Sequence, residues 1–395
     1  MDAVSILNYI IAFFSLFVVS VFLLLFLKYR NTYLQKPKQT GWKPLVSVIM
    51  PAYNEGVYIA DSIKSVLASD YPKDKLDIII VDDGSTDNTY EIAKTFEKEN
   101  PVRVFKKENG GKGAALNFGI EKAKGELTAT MDADSYLTKD TLKELIPYFT
   151  DLEVMAVTPA VKIKQTTSWI SEFQRIEYLM ILFSRKLLSF IDCVPVTPGP
   201  FSMFRTGVLT KVGGFDEHNL VEDQEIALRI QANNYKIKSS MSASVYTEPP
   251  STMWDLLRQR VRWQRGGVRN YWKYRFLIKP EYGDFGVYFI PLNFATLTAF
   301  FVVLGLLLYS LLSTPYYVRY IWFDVFGLGM DLFTFVAGFV IITSLAFLYL
   351  SVKSFKNECI KLRYMITFIF FYWYLMVGYN VLFLIKELRK DSFSW

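Results

Sequence analysis

Residues 45–69 read "LVSVIMPAYNEGVYIADSIKSVLAS". The first nine, LVSVIMPAY, are mainly β-branched and apolar and reach a proline at 51, which predicts a strand running into a turn. Asn54 and Glu55 then open a segment that places Ile59, Ile63, Val66 and Leu67 on one helical face. A strand thus feeds directly into a helix. "LDIIIVDD" (76–83) is a continuous apolar run suited to burial on both faces of a parallel sheet. "STDNTYEIAKTF" (85–96) starts a second helix, with Ser85 or Thr86 as its cap. "VRVFKK" (102–107), "GGKGAALNFGIEKA" (110–123) and "GELTATMDADS" (125–135) repeat the rhythm of strand, helix and strand. Such alternation predicts an α/β domain with a mostly parallel sheet, in which ligands bind at the carboxyl ends of the strands.

Acidic pairs stand at those ends: Asp82 with Asp83, and Asp132 with Asp134. Alternate spacing points Asp132 and Asp134 the same way if strand geometry persists through them. Carboxylates gathered at one sheet edge repel, and a divalent ion with a phosphate would compensate them. Each pair alone reads equally well as a strand-closing turn. "GGKG" (110–113) lacks the spacing of a nucleoside-triphosphate loop, so Lys112 is either an anion contact or a solvated lysine.

Outside this region the chain is too apolar for an ordinary soluble domain. Of 395 residues, 52% are hydrophobic and 17% aromatic, and they cluster. No charge interrupts residues 3–27, 285–318, 332–352 or 364–385. Each run meets the roughly 20 residues a helix needs to cross a bilayer. The first run is longer than a signal-peptide core and no A-x-A site follows it, so it reads as a retained anchor. Lys28, Arg30, Lys36 and Lys38 follow it closely, which makes the middle of the chain cytoplasmic by the positive-inside rule. The loop carrying Lys353, Lys356, Lys361 and Arg363 agrees if the second and third runs cross as a hairpin. A fourth crossing would then put Lys386, Arg389 and Lys390 outside, a conflict softened by Glu387 and Asp391. One C-terminal segment that is interfacial or re-entrant would remove it.

Cys193 and Cys359 are the only cysteines and His218 the only histidine. A thiolate zinc site, a disulfide framework and a multi-histidine centre are therefore not indicated. His218 falls on a polar loop and is given no role. The formal charge of +6 is accounted for by membrane orientation, and no nucleic-acid module is visible.

Two further stretches combine arginine with aromatic residues. "RQRVRW" (258–263) would place Gln259, Arg262 and Trp263 on one helical face. Arginine presents a planar fork to phosphate oxygens, and tryptophan a flat surface to a sugar ring. The same pattern, with Arg265, Arg269, Lys273 and Arg275 beyond it, also suits a helix resting on a membrane. In "SWISEFQRIEYLMILFSRKLLSFI" (168–191), Trp169, Phe173, Ile176, Met180, Phe183, Leu187 and Phe190 form an apolar stripe. Arg175, Arg185 and Lys186 would then meet lipid headgroups, unless the helix packs on the domain's own core.

Taken together, "PAYNE" (51–55), "VDDGSTD" (81–87), "DAD" (132–134), "ED" (222–223) and "QRVRW" (259–263) resemble the ordered motifs of family-2 inverting glycosyltransferases of the GT-A fold. The likeness is to membrane-embedded polysaccharide synthases of the hyaluronan, chitin, cellulose and poly-N-acetylglucosamine type, and it covers roughly residues 40–275. "VED" stands where many such synthases read T-E-D.

The resemblance implies a role for each matching residue. Tyr53, Glu55, Asp82, Asp83, Lys112, Asp132, Arg260 and Arg262 would bind the nucleotide-sugar donor. Asp134 and Asp132 would hold Mg2+ or Mn2+, and Asp223 would be the catalytic base. Gly199 and Pro200 of "TPGPFSMFR" (197–205), with Glu222, Gln259 and Trp263, would face the acceptor.

The implied architecture is an N-terminal anchor (1–30), a cytoplasmic GT-A domain (40–250) containing an interfacial helix (about 167–192), a second interfacial helix (251–278) and a C-terminal membrane region of about three helices (285–390). Transfer from a UDP-sugar to a growing β-linked polysaccharide at the plasma membrane is the leading expectation. The acceptor would be a polysaccharide or lipid-linked chain, with membrane lipids as further partners. A homodimer or auxiliary subunit would assist any translocation, because about four helices make a small channel. The alternative enzyme adds one sugar to a membrane lipid, as ceramide or polyprenyl-phosphate glycosyltransferases do. A sugar-nucleotide-binding or transporter-like protein is disfavoured: it needs no base at Asp223, and the apolar runs carry no ionisable residues.

Overall fold

The computed structural model describes residues 3–98, 101–312, 322–325, 328–355, 358 and 360–389. Lys356, Cys359, Lys390 and Asp391 lie outside them. The chain divides into two compact units, Leu34–Leu277 with Ile360–Trp395, and Met1–Tyr33 with Ile278–Cys359.

Helix α1 (Ala3–Tyr29) precedes the first strand, β1 (Val46–Ala52). Then come α2 (Ile59–Leu67), β2 (Leu76–Asp82), α3 (Thr89–Thr95), β3 (Val102–Lys106), α4 (Lys112–Lys122) and β4 (Leu127–Thr130). The chain continues through β5 (Ser135–Leu137), α5 (Thr141–Leu145), β6 (Val154–Ile163), α6 (Trp169–Leu188), β7 (Ser202–Arg205) and α7 (Thr206–Lys211). Helix α8 (Glu222–Ala232), β8 (Lys236–Thr247) and α9 (Met253–Lys273) complete the sheet-bearing part.

These strands form one eight-stranded sheet in the order β3-β2-β1-β4-β7-β6-β8-β5. The first four are mutually parallel, as the alternation predicts. Because β6 and β8 also pair in parallel, six of the eight strands run the same way. The sheet as a whole is mixed: β7 runs antiparallel to β4 and β6, and β5 antiparallel to β8. The reason lies in α6, which leaves β6 and returns the chain to β7 at the same end of the sheet, so no crossover intervenes. Consequently the ends of β1, β2, β4, β6 and β8 and the start of β7 all meet on one edge. The strand-end motifs converge there.

Burial follows strand parity. Val48, Met50, Ile78 and Ile80 face a core closed by Ile59, Ile63 and Val66 of α2 and Ala93 of α3. Ile49, Ile79 and Val81 face the opposite core, closed by Ala115 and Leu116 of α4 and Ile226 and Ile230 of α8. Both faces of β1 and β2 are covered, which is why their sequences are apolar without alternation. A methyl group on Gly119 would lie 2.3 Å from Ile49 Cγ2, so only glycine lets α4 sit this close to β1.

The two helix starts fall later than the sequence predicts. Asn54 adopts φ of 58° and belongs to a turn, and α2 begins at Ile59. Its Oδ1 accepts hydrogen bonds from the Thr86 and Asp87 amides, while Ser85 Oγ accepts from the Asn54 amide. Ser85 and Thr86 are thus engaged with the neighbouring loop and do not cap α3. Asp87 Oδ1 instead accepts from the Thr89 amide at the start of that helix.

In the other unit, a π-helical turn (Phe285–Phe289) leads into α10 (Ile290–Leu312), a β9–β10 hairpin (Trp322–Val325, Leu328–Asp331) and α11 (Leu332–Lys353). Helix α1 packs on α11, with the Phe22 and Phe347 rings edge to face at 5.7 Å. Helix α12 (Leu362–Leu388) falls in the sheet-bearing unit. Among the described residues, four helical stretches are long and apolar enough to cross a membrane: Ser5–Tyr29, Phe285–Leu306, Thr334–Lys353 and Leu362–Leu388.

Candidate active site

At the converging sheet edge lies a cavity of about 400 Å³. Its wall brings together Lys112, Asp132, Asp134, Gly199, Pro200, Glu222, Asp223, Gln259, Arg262 and Trp263, ten of the residues singled out in the sequence. They arrive from separate elements: the N-terminus of α4, the segment after β4, the loop before β7, the first turn of α8, and α9.

Lys112 organises the acidic side. Its Nζ lies 2.6 Å from Asp132 Oδ1 and 3.0 Å from Glu222 Oε1. Burial alone would lower its pKa, but Asp132, Glu222 and Asp223 outweigh that and hold it well above the usual lysine range. It is therefore a fixed cation. The Asp132 amide donates to the Gly199 carbonyl at 3.1 Å, and a methyl on Gly199 would come within 2.7 Å of Lys112 Nζ and 2.8 Å of Asp132 Oδ2. A side chain at 199 would displace the Lys112 and Asp132 side-chain ends, which close directly onto the glycine backbone.

Asp223 sits at the second position of α8. Its Oδ2 accepts from the Gly199 amide at 3.3 Å and its Oδ1 from the Gln224 amide at 2.8 Å. Burial, then the Glu222 charge, raises its pKa to about 6, against the opposing pull of Lys112 and Arg262. A carboxylate poised just below neutrality suits a proton acceptor. Asp134 is likewise raised to about 6, first by burial and then by Asp132. Strand geometry ends at Thr130, so a turn rather than a pleat brings both carboxylates of "DAD" to the wall.

Tyr53, Glu55, Asp82 and Asp83 do not line the cavity. Tyr53 is 49% exposed. Glu55, its pKa raised to about 7 by burial and then by Asp134, Asp132 and Asp87, adds a further acidic group near the two carboxylates of "DAD". Asp83 is saturated: Lys107 Nζ (2.7 Å) and the Gly110 amide (3.1 Å) donate to Oδ1, and the Gly111 amide (2.8 Å) to Oδ2. Asp82 is fully buried; its Oδ2 accepts from the Ser85 amide, and its Oδ1 has no hydrogen-bond partner. Among the described residues no group of three His, Cys, Asp or Glu forms a ready-made metal cage.

Two expectations change. Arg260, expected at the donor, is 4% exposed and does not line the cavity. Its guanidinium pairs with Glu177 of α6, with Nε 3.1 Å from Oε1, and lies 4.2 Å from the centre of the Trp263 ring. Arg185 and Lys186 of α6 do not reach out to headgroups. Lys186 is buried and donates to the Ser239 carbonyl at 2.9 Å, and Arg185 is buried in the cavity wall. Phe173, Ile176, Phe183 and Leu187 of the apolar stripe are covered by protein.

Arg185, read in the sequence as a headgroup contact, is instead a candidate residue of the site. Its Nη2 donates to the Pro159 carbonyl at 3.1 Å while its buried Nε has no partner. Burial lowers its pKa to about 10. No motif marks it; only the fold places it in the cavity wall, within electrostatic reach of Asp223.

Residues 47–213 match the model of the family described as "Glycosyl transferase family 2". That segment is similar to a family 2 glycosyltransferase domain. The fold of the chain is GT-A: the structure of a mannosyltransferase from Pyrobaculum calidifontis, determined with GDP-Man and Mn2+, superposes over 98% of this chain and all of that one, with a TM-score of 0.66 at 21% identity. Two relatives, the poly-β-1,6-N-acetyl-D-glucosamine synthases of Staphylococcus epidermidis and Staphylococcus aureus strain COL, are each 32% identical. The matches cover 58% and 56% of this chain and 56% and 54% of theirs. The chain thus spans little more than half the length of the curated relatives it matches. The matched segment includes Asp82, Asp83, Lys112, Asp132 and Asp134, whereas Asp223 and "QRVRW" lie beyond residue 213.

Proposed function

We propose that this protein is a membrane-embedded, inverting glycosyltransferase that extends a β-linked polysaccharide from a UDP-sugar, with N-acetylglucosamine as the first candidate. The observation that carries the reading is the convergence in one cavity of Asp223, Lys112, both "DAD" carboxylates and the Gln259, Arg262 and Trp263 side chains. The staphylococcal relatives, named for poly-N-acetylglucosamine synthesis, support the polymer and the sugar.

Asp223 is held at the head of a helix by two backbone amides, one of them from the loop expected to face the acceptor. It takes the proton of the acceptor hydroxyl as that oxygen attacks the anomeric carbon. Attack opposite the leaving nucleoside diphosphate inverts the centre, so an α-linked donor gives a β-linked product. Lys112 and Arg262 supply fixed positive charge where the diphosphate gains negative charge. The unpartnered Asp82 Oδ1 suits an N–H of the donor base. Asp134 and Asp132 fit a divalent ion, because burial and mutual repulsion destabilise their charges, Lys112 relieves this only in part, and a cation would relieve the rest. Mg2+ or Mn2+ bound there would stabilise the departing diphosphate as a Lewis acid. Trp263 offers its face to the acceptor sugar, and Gln259 a hydrogen bond beside it.

Lys28, Arg30, Lys36 and Lys38 support a cytoplasmic catalytic domain at the plasma membrane. The test is UDP release from UDP-N-acetylglucosamine by membranes bearing the protein. The reading expects release that depends on Mg2+ or Mn2+ and is lost in Asp223→Asn while donor binding persists. Equal turnover by Asp223→Asn would refute the assignment of the base.

A further inference from the structure

Helix α12 is apolar enough to span a bilayer, yet its surroundings do not suit a span. Its Phe368 ring lies 5.6 Å from Phe173 of α6, and its Tyr372 hydroxyl donates to Glu177 Oε1 of α6 at 3.0 Å. A methyl on Gly378 would touch Leu257 of α9 at 3.6 Å. Glu387 accepts from Arg265 Nε at 2.7 Å and from Arg269 Nη2 at 3.0 Å. From Gly378 to Glu387 the helix advances about 14 Å, and its partners on α9 advance from Leu257 to Arg265 and Arg269 in the same direction. The two helices therefore lie side by side and parallel. They do not cross at a point.

Whatever path α12 takes relative to the membrane, α9 shares. Helix α9 carries Asp255, Arg258, Arg260, Arg262, Arg265, Arg269 and Lys273. The Arg258 and Arg269 side chains are 64% and 51% exposed. In a transmembrane orientation they would meet hydrocarbon, which charged side chains avoid unless they line a protected interior. An orientation along the membrane plane removes the difficulty.

The faces of α12 agree. Phe368, Tyr372, Asn380, Phe383 and Glu387 recur at helical spacing as its buried or protein-facing residues, so the Tyr372 hydroxyl and the Glu387 carboxylate meet the domain and Asn380 is buried. Ile366, Phe370, Tyr374, Ile385 and Leu388 are exposed, with Phe371 and Trp373 beside them. That surface is apolar and aromatic, the composition of residues that settle at the level of lipid headgroups and upper acyl chains.

We infer that Leu362–Leu388 lies along the membrane surface, its outer face docked on bilayer lipid and its inner face holding α6 and α9. Among the described residues three helical stretches then cross, and Lys386 and Arg389 stay on the catalytic-domain side with Lys28, Arg30 and Lys36. The charge conflict in the sequence disappears. The inference needs membrane insertion of the chain but not sugar transfer, and its test reads no activity.

Nitroxide labels would be placed one at a time, by cysteine substitution at Ile366, Phe370, Tyr374, Ile385 and Leu388, in the full chain with Cys359→Ser; Cys193 is buried. In vesicles of phosphatidylethanolamine and phosphatidylglycerol, accessibility to oxygen and to a water-soluble nickel chelate gives each label's depth. The inference expects similar, shallow depths at all five positions. Depths that pass through the bilayer centre between Ile366 and Leu388 would overturn it. A membrane-impermeant maleimide supplies the second reading: Leu388→Cys should react from the same side as Lys139→Cys on the catalytic domain, and reaction from opposite sides overturns the inference.

Discussion

Glu177 of α6 and Arg260 of α9, each less than a tenth exposed, face one another in a two-point ion pair. The pair bears on the cavity through its neighbours. Arg260 donates to Gln259 Oε1 and stacks on Trp263, while Tyr372 donates to Glu177. Arg260 is thus a positioning residue for the two side chains expected to face the acceptor. Glu177→Gln should cost about 3–5 kcal/mol of stability by leaving a buried charge unpaired. It should also raise the KM for acceptor more than it lowers kcat. The melting temperature in detergent and acceptor kinetics check both; an unchanged melting temperature would contradict the role.

The base gives a pH signature. Asp223 must be ionised to take a proton, and its pKa is raised to about 6 by burial and Glu222. Turnover should therefore rise with pH through about 6 and level off above. Asp223→Asn should lose about 10²–10⁴-fold in kcat and lose that acidic limb. A residual rate with the limb intact would assign it to another group.

Metal binding should release protons. Glu55 is raised to about 7 and Asp134 to about 6, in each case chiefly by burial and then by nearby carboxylates. A divalent cation favours their charged forms, so Mn2+ affinity should weaken as pH falls from about 8 to about 6. Calorimetry in two buffers of different ionisation enthalpy measures the protons released. A heat independent of buffer would show that neither group is coupled to the ion.

Gly199→Ala tests the close approach of three segments. The added methyl would push on Lys112 Nζ and Asp132 Oδ2, both nearer than 3 Å. Overpacking of this kind costs about 1–3 kcal/mol. Because the atoms displaced are in the cavity, kcat/KM should fall by about tenfold or more with the fold retained, as judged by circular dichroism.

Arg185→Gln removes the buried guanidinium from the cavity wall. Its unpartnered Nε makes a substrate oxygen the natural acceptor, so a higher KM with near-normal Asp223 titration is expected. Steady-state kinetics across pH separates this from a general loss of fold.

Much of the fold was legible because local chemistry agreed with it. The unbroken apolar runs of β1 and β2 do need cover on both faces, and the acidic pairs do end at one edge. What the sequence could not convey was long-range. The return of α6 to its starting edge makes the sheet mixed, and nothing in residues 164–201 encodes that locally. Arg185 and Lys186 looked like surface cations by spacing, but the packing of α6 against the sheet buries them. Arg260 and Arg262 are two residues apart in one motif, yet the helical rotation between them sends one to Glu177 and leaves the other in the cavity wall. Asn54 and Ser85 resembled helix starts because the residues that cap helices also stitch loops together.

Product size is the most direct test of the central claim. Membranes bearing the protein would receive labelled UDP-N-acetylglucosamine with Mg2+ or Mn2+, beside Asp223→Asn membranes, and the label would be sized after solvent extraction. Polymer synthesis predicts high-molecular-weight, solvent-insoluble label that is absent from the Asp223→Asn sample. Label confined to a small, solvent-extractable product would contradict polymer synthesis and make the cavity that of a lipid glycosyltransferase.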